Sequence, residues 1–456
     1  MEKASPCLLP HDDKFLPEIP RMMLPQKLFC VSIVFAFLIC CCSGASAQSW
    51  QFTCTSTKHE KEKGAAELTV HAVYSPEKQF GFDPGTVPDV KDSACFSDKP
   101  FFFSLTVPDG NYQVTVEMGG GPNASVTTVK AESRRLMLLS VATSPHQTTT
   151  RGFNVNVRTP QIEGDGEVHL KPREVGSLDW DGKLTLEFIG RNPSFRSITI
   201  QKADVPTLYL AGDSTVVDQD KEPWAAWGQM LPVFFNDTVS ISDQAESGET
   251  IHSFTVENRF AKIFSTMRAG DYLFMQFAHN DQKPGKGFVS ISDYKQYLIK
   301  YIQMARSKGA TPVLVTSMNR RTFDANGKII QTLGDYPEAM REVAKEQNVA
   351  LIDLNAMSKT LYEALGPEGT LKAFVHFPAN TFPDQPLPLK DDTHFTDYGA
   401  YELARCVVKG IREAGLPLAS AIVKGEAEFD PAYPDNPNAL KLPLDPQVGT
   451  VTPYGR

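Results

Sequence analysis

A change of hydrophobic period near residue 204 is the feature that most limits what this chain can fold into. Before it, short segments at 67–73, 101–107, 112–118, 125–130, 152–157, 183–189 and 197–201 alternate or concentrate β-branched and aromatic residues, and turns such as Pro108-Asp109-Gly110-Asn111 separate them. A two-residue period sends side chains to opposite faces of a strand, and helical spacing is almost absent here, so the region 48–204 reads as an all-β sandwich of jelly-roll type. After Val205 the apolar residues come in compact runs at 207–210, 239–242, 272–277, 312–316 and 350–354. Amphipathic stretches at 293–308, 336–346 and 397–414 lie between or after them. Continuous apolar strands alternating with helices imply an α/β domain whose parallel sheet is covered on both faces, with functional groups gathered at the carboxyl ends of the strands. A chain of 456 residues exceeds what one core usually organises, which agrees with two folded parts. The second part is placed at 205–429, and the Pro- and Asn-rich segment 430–456 is expected to run as an extended tail.

Residues 1–47 have the pattern of a targeting segment: Arg21 and Lys27 precede an apolar run at 28–42, and Ala45-Ser46-Ala47 offers a small-residue cleavage site. That run is shorter than the roughly 20 residues a membrane span needs, so export is expected, to the periplasm or outside the cell, with cleavage after Ala47 and no stable membrane insertion. A retained anchor is the competing reading, and Met22 or Met23 is an alternative start. Cys7, Cys30, Cys40, Cys41 and Cys42 fall in this segment, and no convincing lipobox precedes the last three. Cys54, Cys95 and Cys406 remain, an odd and sparse set that is not a disulfide framework. A Cys54–Cys95 bridge is compatible with an oxidising compartment, but sequence does not place the two side by side. A net charge of −9 gives no basic footprint, so nucleic acid is not an expected partner.

Acyl transfer by a serine needs an exposed hydroxyl, a base within reach and donors aimed at the oxyanion. Ser214 follows the run 207–210 at a Gly212-Asp213 turn, where it can stand at a strand's carboxyl end; as an isolated feature it reads equally well as a helix N-cap. His394 lies in Asp391-Asp392-Thr393-His394-Phe395, just before the last amphipathic stretch. A carboxylate three residues earlier on a loop can hold the imidazole Nδ1 and leave Nε2 as base, which points to Asp391. Solvated loop charges are the plain alternative. No cluster of His, Cys and Asp has the spacing of a catalytic zinc site, so neither metal nor cofactor is expected.

Four segments, Leu210-Ala211-Gly212-Asp213-Ser214-Thr215-Val216, Glu246-Ser247-Gly248, Ala278-His279-Asn280-Asp281 and Asp391-Asp392-Thr393-His394-Phe395, resemble in order and spacing the four blocks of the SGNH/GDSL hydrolases. The wording around Gln276-Phe277-Ala278-His279-Asn280-Asp281-Gln282-Lys283 is similar to the rhamnogalacturonan acetylesterases of carbohydrate esterase family 12. The resemblance covers about 205–416 and implies a three-layer, flavodoxin-like domain; a sandwich joined to it resembles galactose-binding-like modules. It implies Ser214 as nucleophile, Asp391 and His394 as its acid and base, and the Ser214 amide, the Gly248 amide and the Asn280 side chain as oxyanion donors. The family's third block usually begins with glycine, where Ala278 stands here, so an adjusted turn is expected.

The activity implied is removal of acetyl groups from a plant cell-wall polysaccharide, pectic in the first instance. Esterases of the same framework acting on acetylated xylan or lipid, and a non-catalytic sugar-binding protein, are the competing readings; four intact blocks weigh against the last. Arg320 and Arg321, in Asn319-Arg320-Arg321 after the run 312–316, are candidates to pair with uronate carboxylates, with a solvated loop as the alternative. His279, His376, Trp224 and Trp227 are further candidate sugar contacts, although the two tryptophans at helical spacing suit a core equally.

Overall fold

Alternate residues of the strand Thr207–Gly212 face two different cores. Leu208 and Leu210 pack with Phe274, Val313, Val315 and Ile352 on one side, while Tyr209 and Ala211 pack with Leu273, Met275 and Leu314 on the other. Both faces of the sheet are therefore covered, which is why these strands read as apolar runs without alternation. In this computed structural model, which describes residues 48–56, 65–285, 287–440, 442–450 and 453, the sheet has the order Ser240–Asp243, Thr207–Gly212, Tyr272–Gln276, Thr311–Val315, Ala350–Ile352. Each neighbouring pair is parallel. Ile291–Ser307 and Tyr336–Glu346 cover one face through residues such as Leu298, Ile302, Met340 and Val343. Leu354–Gly369 and Asp397–Glu413 cover the other through Leu361, Tyr362, Leu403 and Val407. Each such leucine or valine, withdrawn fully from water, contributes on the order of 1.5–3 kcal/mol. The second part is thus the three-layer α/β domain expected. Its hairpin of Phe374–Phe377 and Leu389–Phe395 stands apart from the main sheet.

The first part stacks two sheets. One has the order Thr148–Val157, Gly110–Gly119, Ser194–Lys202, Ser49–Cys54, Ala66–Leu68; the other Phe80–Phe82, Phe101–Thr106, Lys183–Arg191, Ser125–Ala131, Arg135–Thr143. Inward-facing phenylalanines fill the space between them, with Phe188 and Phe195 stacked at 4.6 Å. Cys54 and Cys95 are joined in a disulfide with their Cα atoms 5.6 Å apart. The expected strand 67–73 stops at Leu68, because the chain turns at 70–71. The leader proposed at 1–47 lies outside the described residues. Among the described residues no helix is long and apolar enough to cross a membrane.

The sandwich and the hydrolase-like part belong to one compact unit, Ala47–Arg456. Arg134 and Arg135, where the strand Arg135–Thr143 begins, reach across between them. The Arg134 Nη1 donates to the carbonyls of Gln219 at 3.2 Å and Trp224 at 2.9 Å. Arg135 donates to Asp218 Oδ2 from Nε at 2.9 Å and Nη2 at 2.7 Å. The tail returns to the same place, with Val448 bridging Glu222 and Asp445 Oδ2 3.8 Å from Arg134 Nε.

Candidate active site

The turn after Thr207–Gly212 is built by Asp213. Its Oδ1 accepts the Thr215 amide at 2.9 Å and the Thr215 hydroxyl at 2.8 Å, an Asx-type turn that leaves Ser214 at its apex. Gly212 is needed for close approach, since a Cβ there would lie 2.5 Å from Val216 Cγ2. The Gln219 side chain donates to the Ser214 carbonyl at 2.8 Å and fixes the turn from the other side.

Ser214 Oγ lies 2.8 Å from His394 Nε2, and His394 Nδ1 lies 2.8 Å from Asp391 Oδ2. The other Asp391 oxygen accepts the amides of Thr393 at 2.9 Å and His394 at 3.1 Å. Burial raises the Asp391 pKa, but the hydrogen bond and charge of His394 and the two amides outweigh it and hold the carboxyl at about 2. An ionised carboxylate fixes the imidazole with Nδ1 protonated, so Nε2 presents a lone pair to the serine hydroxyl. Asp391 and His394 lie on the strand Leu389–Phe395 instead of the loop expected. The helix Asp397–Glu413 starts directly after it, capped by the Thr396 hydroxyl.

Three hydrogen-bond donors come together beyond the ends of adjacent strands. The Glu246 amide donates to the Gly212 carbonyl at 3.2 Å, which brings the 245–248 turn against the serine turn. Gly248 takes φ 84°, a conformation that glycine adopts without a Cβ penalty. Among the described residues the backbone amides of Ser214 and Gly248 donate to no protein acceptor. Asn280 Oδ1 accepts from Lys283 Nζ at 2.9 Å, and its Nδ2 donates to the Glu249 carbonyl at 2.9 Å, leaving a second N–H for a ligand. Asp281 ties the two loops together by accepting the Ile251 amide at 2.9 Å. Burial, with no cation paired to it among the described residues, pushes Asp281 up to about 7. Ala278, which stands where the family usually has glycine, takes the positive φ of 158°; Tyr294 Oη and Ser317 Oγ hold the preceding carbonyl at 2.7 and 3.0 Å.

The remaining candidates separate. Arg320 is half-buried and donates only to neutral groups: Thr332 O and Oγ1, both at 3.3 Å, and His279 O at 3.1 Å. Lys283, which no local sequence pattern singles out, is also half-buried and contacts Asn280 Oδ1. Neither pairs with a carboxylate among the described residues. Burial and the nearby Arg320 charge push the Lys283 ammonium below its usual value, and burial lowers Arg320 against the pull of Asp213. Arg321 differs from the expectation. It is engaged with Asp392 at 3.1 Å, Pro367 O at 2.7 Å and Thr370 Oγ1 at 3.1 Å, and so braces the strand that carries Asp391 and His394. His376 shares the same Asp392 oxygen at 2.8 Å. His279 is buried against Met318 Sδ at 3.4 Å, and burial, then the charges of Arg320, His394 and Lys283, drive its pKa well down, so it is a neutral wall of the site. Trp227 belongs to the core and donates to Gln276 Oε1 at 2.8 Å; Trp224 is buried with Val375, Phe382 and Leu389.

Comparison with known proteins adds an independent line. Residues 210–400 match the GDSL-like lipase/acylhydrolase family. The rhamnogalacturonan acetylesterase RhgT of Bacillus subtilis (strain 168) is 46% identical over 223 residues, which are 48% of this chain and 96% of that protein. The probable rhamnogalacturonan acetylesterase YesY of the same organism is 38% identical over 221 residues, 48% of this chain and 97% of its own length. An uncharacterized esterase of that organism, YxiM, is 26% identical over 411 residues and matches 85% of this chain and 98% of itself, sandwich region included.

Proposed function

The chain belongs to the GDSL-like lipase/acylhydrolase family, and from that premise we propose that it is an exported O-acetylesterase acting on a pectic polysaccharide of the rhamnogalacturonan type. The observation that carries the chemistry is the continuous path from Ser214 Oγ through His394 to Asp391, each step 2.8 Å. Ser214 attacks the acetyl carbonyl as His394 Nε2 takes its proton. The resulting oxyanion is met by the amides of Ser214 and Gly248 and the free N–H of Asn280. Return of the proton to the sugar oxygen expels the polysaccharide and leaves an acetyl-serine. Water, activated by the same His394, then releases acetate and restores the hydroxyl.

The substrate reading is supported by the names of the relatives above and by the charge at the site. Arg320 and Lys283 are half-buried cations that make no ion pair among the described residues and feel only the longer-range attraction of Asp213, a state that a galacturonate carboxylate would relieve. A neutral acetylated xylan would leave both unmatched. The leader-like segment at 1–47 and the Cys54–Cys95 disulfide support export to an oxidising compartment. The test is acetate release from acetylated rhamnogalacturonan, acetylated xylan and an aryl acetate, measured side by side. Ser214→Ala should lower all measurable rates by several orders of magnitude with the fold intact. Near-normal turnover by that folded variant would overturn the serine mechanism, and a preference for xylan would overturn the pectic assignment.

A further inference from the structure

A crevice of about 240 Å³ runs between the sandwich and the hydrolase-like part, beside the catalytic turns. On the sandwich side it is lined by Arg158, Ser177 and Trp180; on the other by Asp218, Trp224 and Ser247. Its floor adjoins the reaction centre from two directions. Gln219, which also lines it, holds the Ser214 carbonyl at 2.8 Å, and Ser247 immediately precedes Gly248.

The lining residues combine apolar faces with polar groups, some of whose buried atoms meet no partner among the described residues. The Arg158 guanidinium lies 4.5 Å above the Trp180 ring, and its nearest carboxylate, Asp179, is 4.0 Å away. Arg158 is 4% exposed, and among the described residues its Nε and Nη1 have no hydrogen-bond partner; the same holds for Nε1 of Trp224, 2% exposed, and Oδ1 of Asp218, 5% exposed. Donors and acceptors are interleaved, and the lining carries three cationic and five carboxylate side chains, which disfavours an anion. Indole surfaces beside mixed donors and acceptors suit a ring with apolar faces and a hydroxyl rim. The size is below the roughly 300–1,000 Å³ of drug-sized sites and suits one ring.

Resting on the esterase reading above, we propose that this crevice is a subsite for a neutral pyranose residue of the polysaccharide, and that the sandwich contributes to substrate binding through Arg158 and Trp180. It is separate from Arg320 and Lys283, which face the anionic residue. The polymer would then lie across both parts of the protein, neutral ring on the sandwich side and acetylated ring at Ser214.

Two variants test this. Ser177→Trp plugs the crevice at a half-buried position whose hydroxyl makes no capping hydrogen bond. Arg158→Met removes the unmatched guanidinium and keeps its bulk. With each, KM for acetylated rhamnogalacturonan should rise about ten-fold, the equivalent of one good hydrogen-bonded contact, while kcat stays close to wild type. Hydrolysis of an aryl acetate, too small to reach the crevice, is measured in parallel. Unchanged KM in both folded variants overturns the subsite, and so does equal loss on polymer and aryl acetate, which would mark the crevice as structural support. Failure of the wild-type protein to hydrolyse any acetyl ester would instead overturn the esterase reading. If one variant does not fold, the other decides.

Discussion

Arg134, at the sandwich face, and Arg320, at the catalytic edge, are both guanidinium groups drawn out of bulk water, but their surroundings are opposite. Arg134 is 5% exposed and meets Glu222, Asp397 at 3.5 Å and Asp445 at 3.8 Å, besides two backbone carbonyls. Arg320 meets only a hydroxyl and two carbonyls, and Lys283 near it meets only an amide oxygen. A buried cation surrounded by carboxylates is bound to the fold, because removing it strands the charges around it. One without carboxylates strands nothing and contributes little to stability. Its value lies in what it can attract from solution.

This contrast can be broken by exchanging each cation for a neutral side chain of similar length. Arg134→Met leaves Glu222, Asp397 and Asp445 without their shared counter-ion, so a loss of roughly 3–5 kcal/mol is expected in denaturant unfolding. Because Asp397 opens the helix behind His394, activity on every acetyl ester should fall with it. A variant as stable as wild type would show that the two parts do not depend on this clamp. Arg320→Met should change stability little. It should reduce kcat/KM on the anionic polymer about ten-fold or more, the equivalent of one charge-assisted contact, and leave aryl acetate hydrolysis near wild type. Raising salt should shrink the polymer advantage of the wild type and have less effect on the variant. If the arginine variant unfolds easily, the distinction between paired and unpaired cations is wrong.

Sequence alone could not have separated these cases. Arg320 and Arg321 are neighbours with the same chemistry, and what divides them is Asp392, 71 residues further on, which engages only the second. The Asp391–His394 pair was easier to read because its geometry is local, three residues apart, whereas the Ser214–His394 contact spans 180 residues and was visible only through the resemblance of whole blocks. The parallel sheet was legible because each of its strands is buried on both faces and forms a compact run. The strand Arg135–Thr143 was not, since its Leu-Met-Leu-Leu run has no two-residue period. Nor was the helix Leu354–Gly369, whose end is broken by Gly366 at φ 68° and Pro367. The crevice between the two parts needs residues far apart in the chain, and no local pattern announces it.

The smallest effect expected comes from the acidic counterpart of the same rule. Asp281, Glu187 and Glu402 are carboxylates that burial pushes up, to about 7, 8 and 7; no cation acts on Asp281 among the described residues, and burial outweighs the pull of Lys130 and Arg134 on Glu187 and of Arg405, 3.8 Å away, on Glu402. In the unfolded chain they return to ordinary carboxylate values near 4. Between those two limits the folded protein binds more protons than the unfolded one, so stability falls as pH rises and is recovered as pH falls. Asp391 has the opposite sign. Its folded pKa of about 2 lies below the unfolded value, so its contribution is present above the unfolded value and is lost as pH falls toward 2. Together these place the most stable range in mildly acidic solution. The thermal midpoint should rise by a few degrees, roughly the effect of 1–2 kcal/mol, between pH 8 and pH 5.5, and fall again below about pH 4. Asp281→Asn, which keeps the side chain neutral and still accepts the Ile251 amide through its carbonyl oxygen, should flatten the rise. A midpoint that is flat or falls from pH 8 to pH 5.5 would mean that these carboxylates are matched by groups outside the contacts described, and that the rule drawn from Arg134 and Arg320 does not extend to the acids.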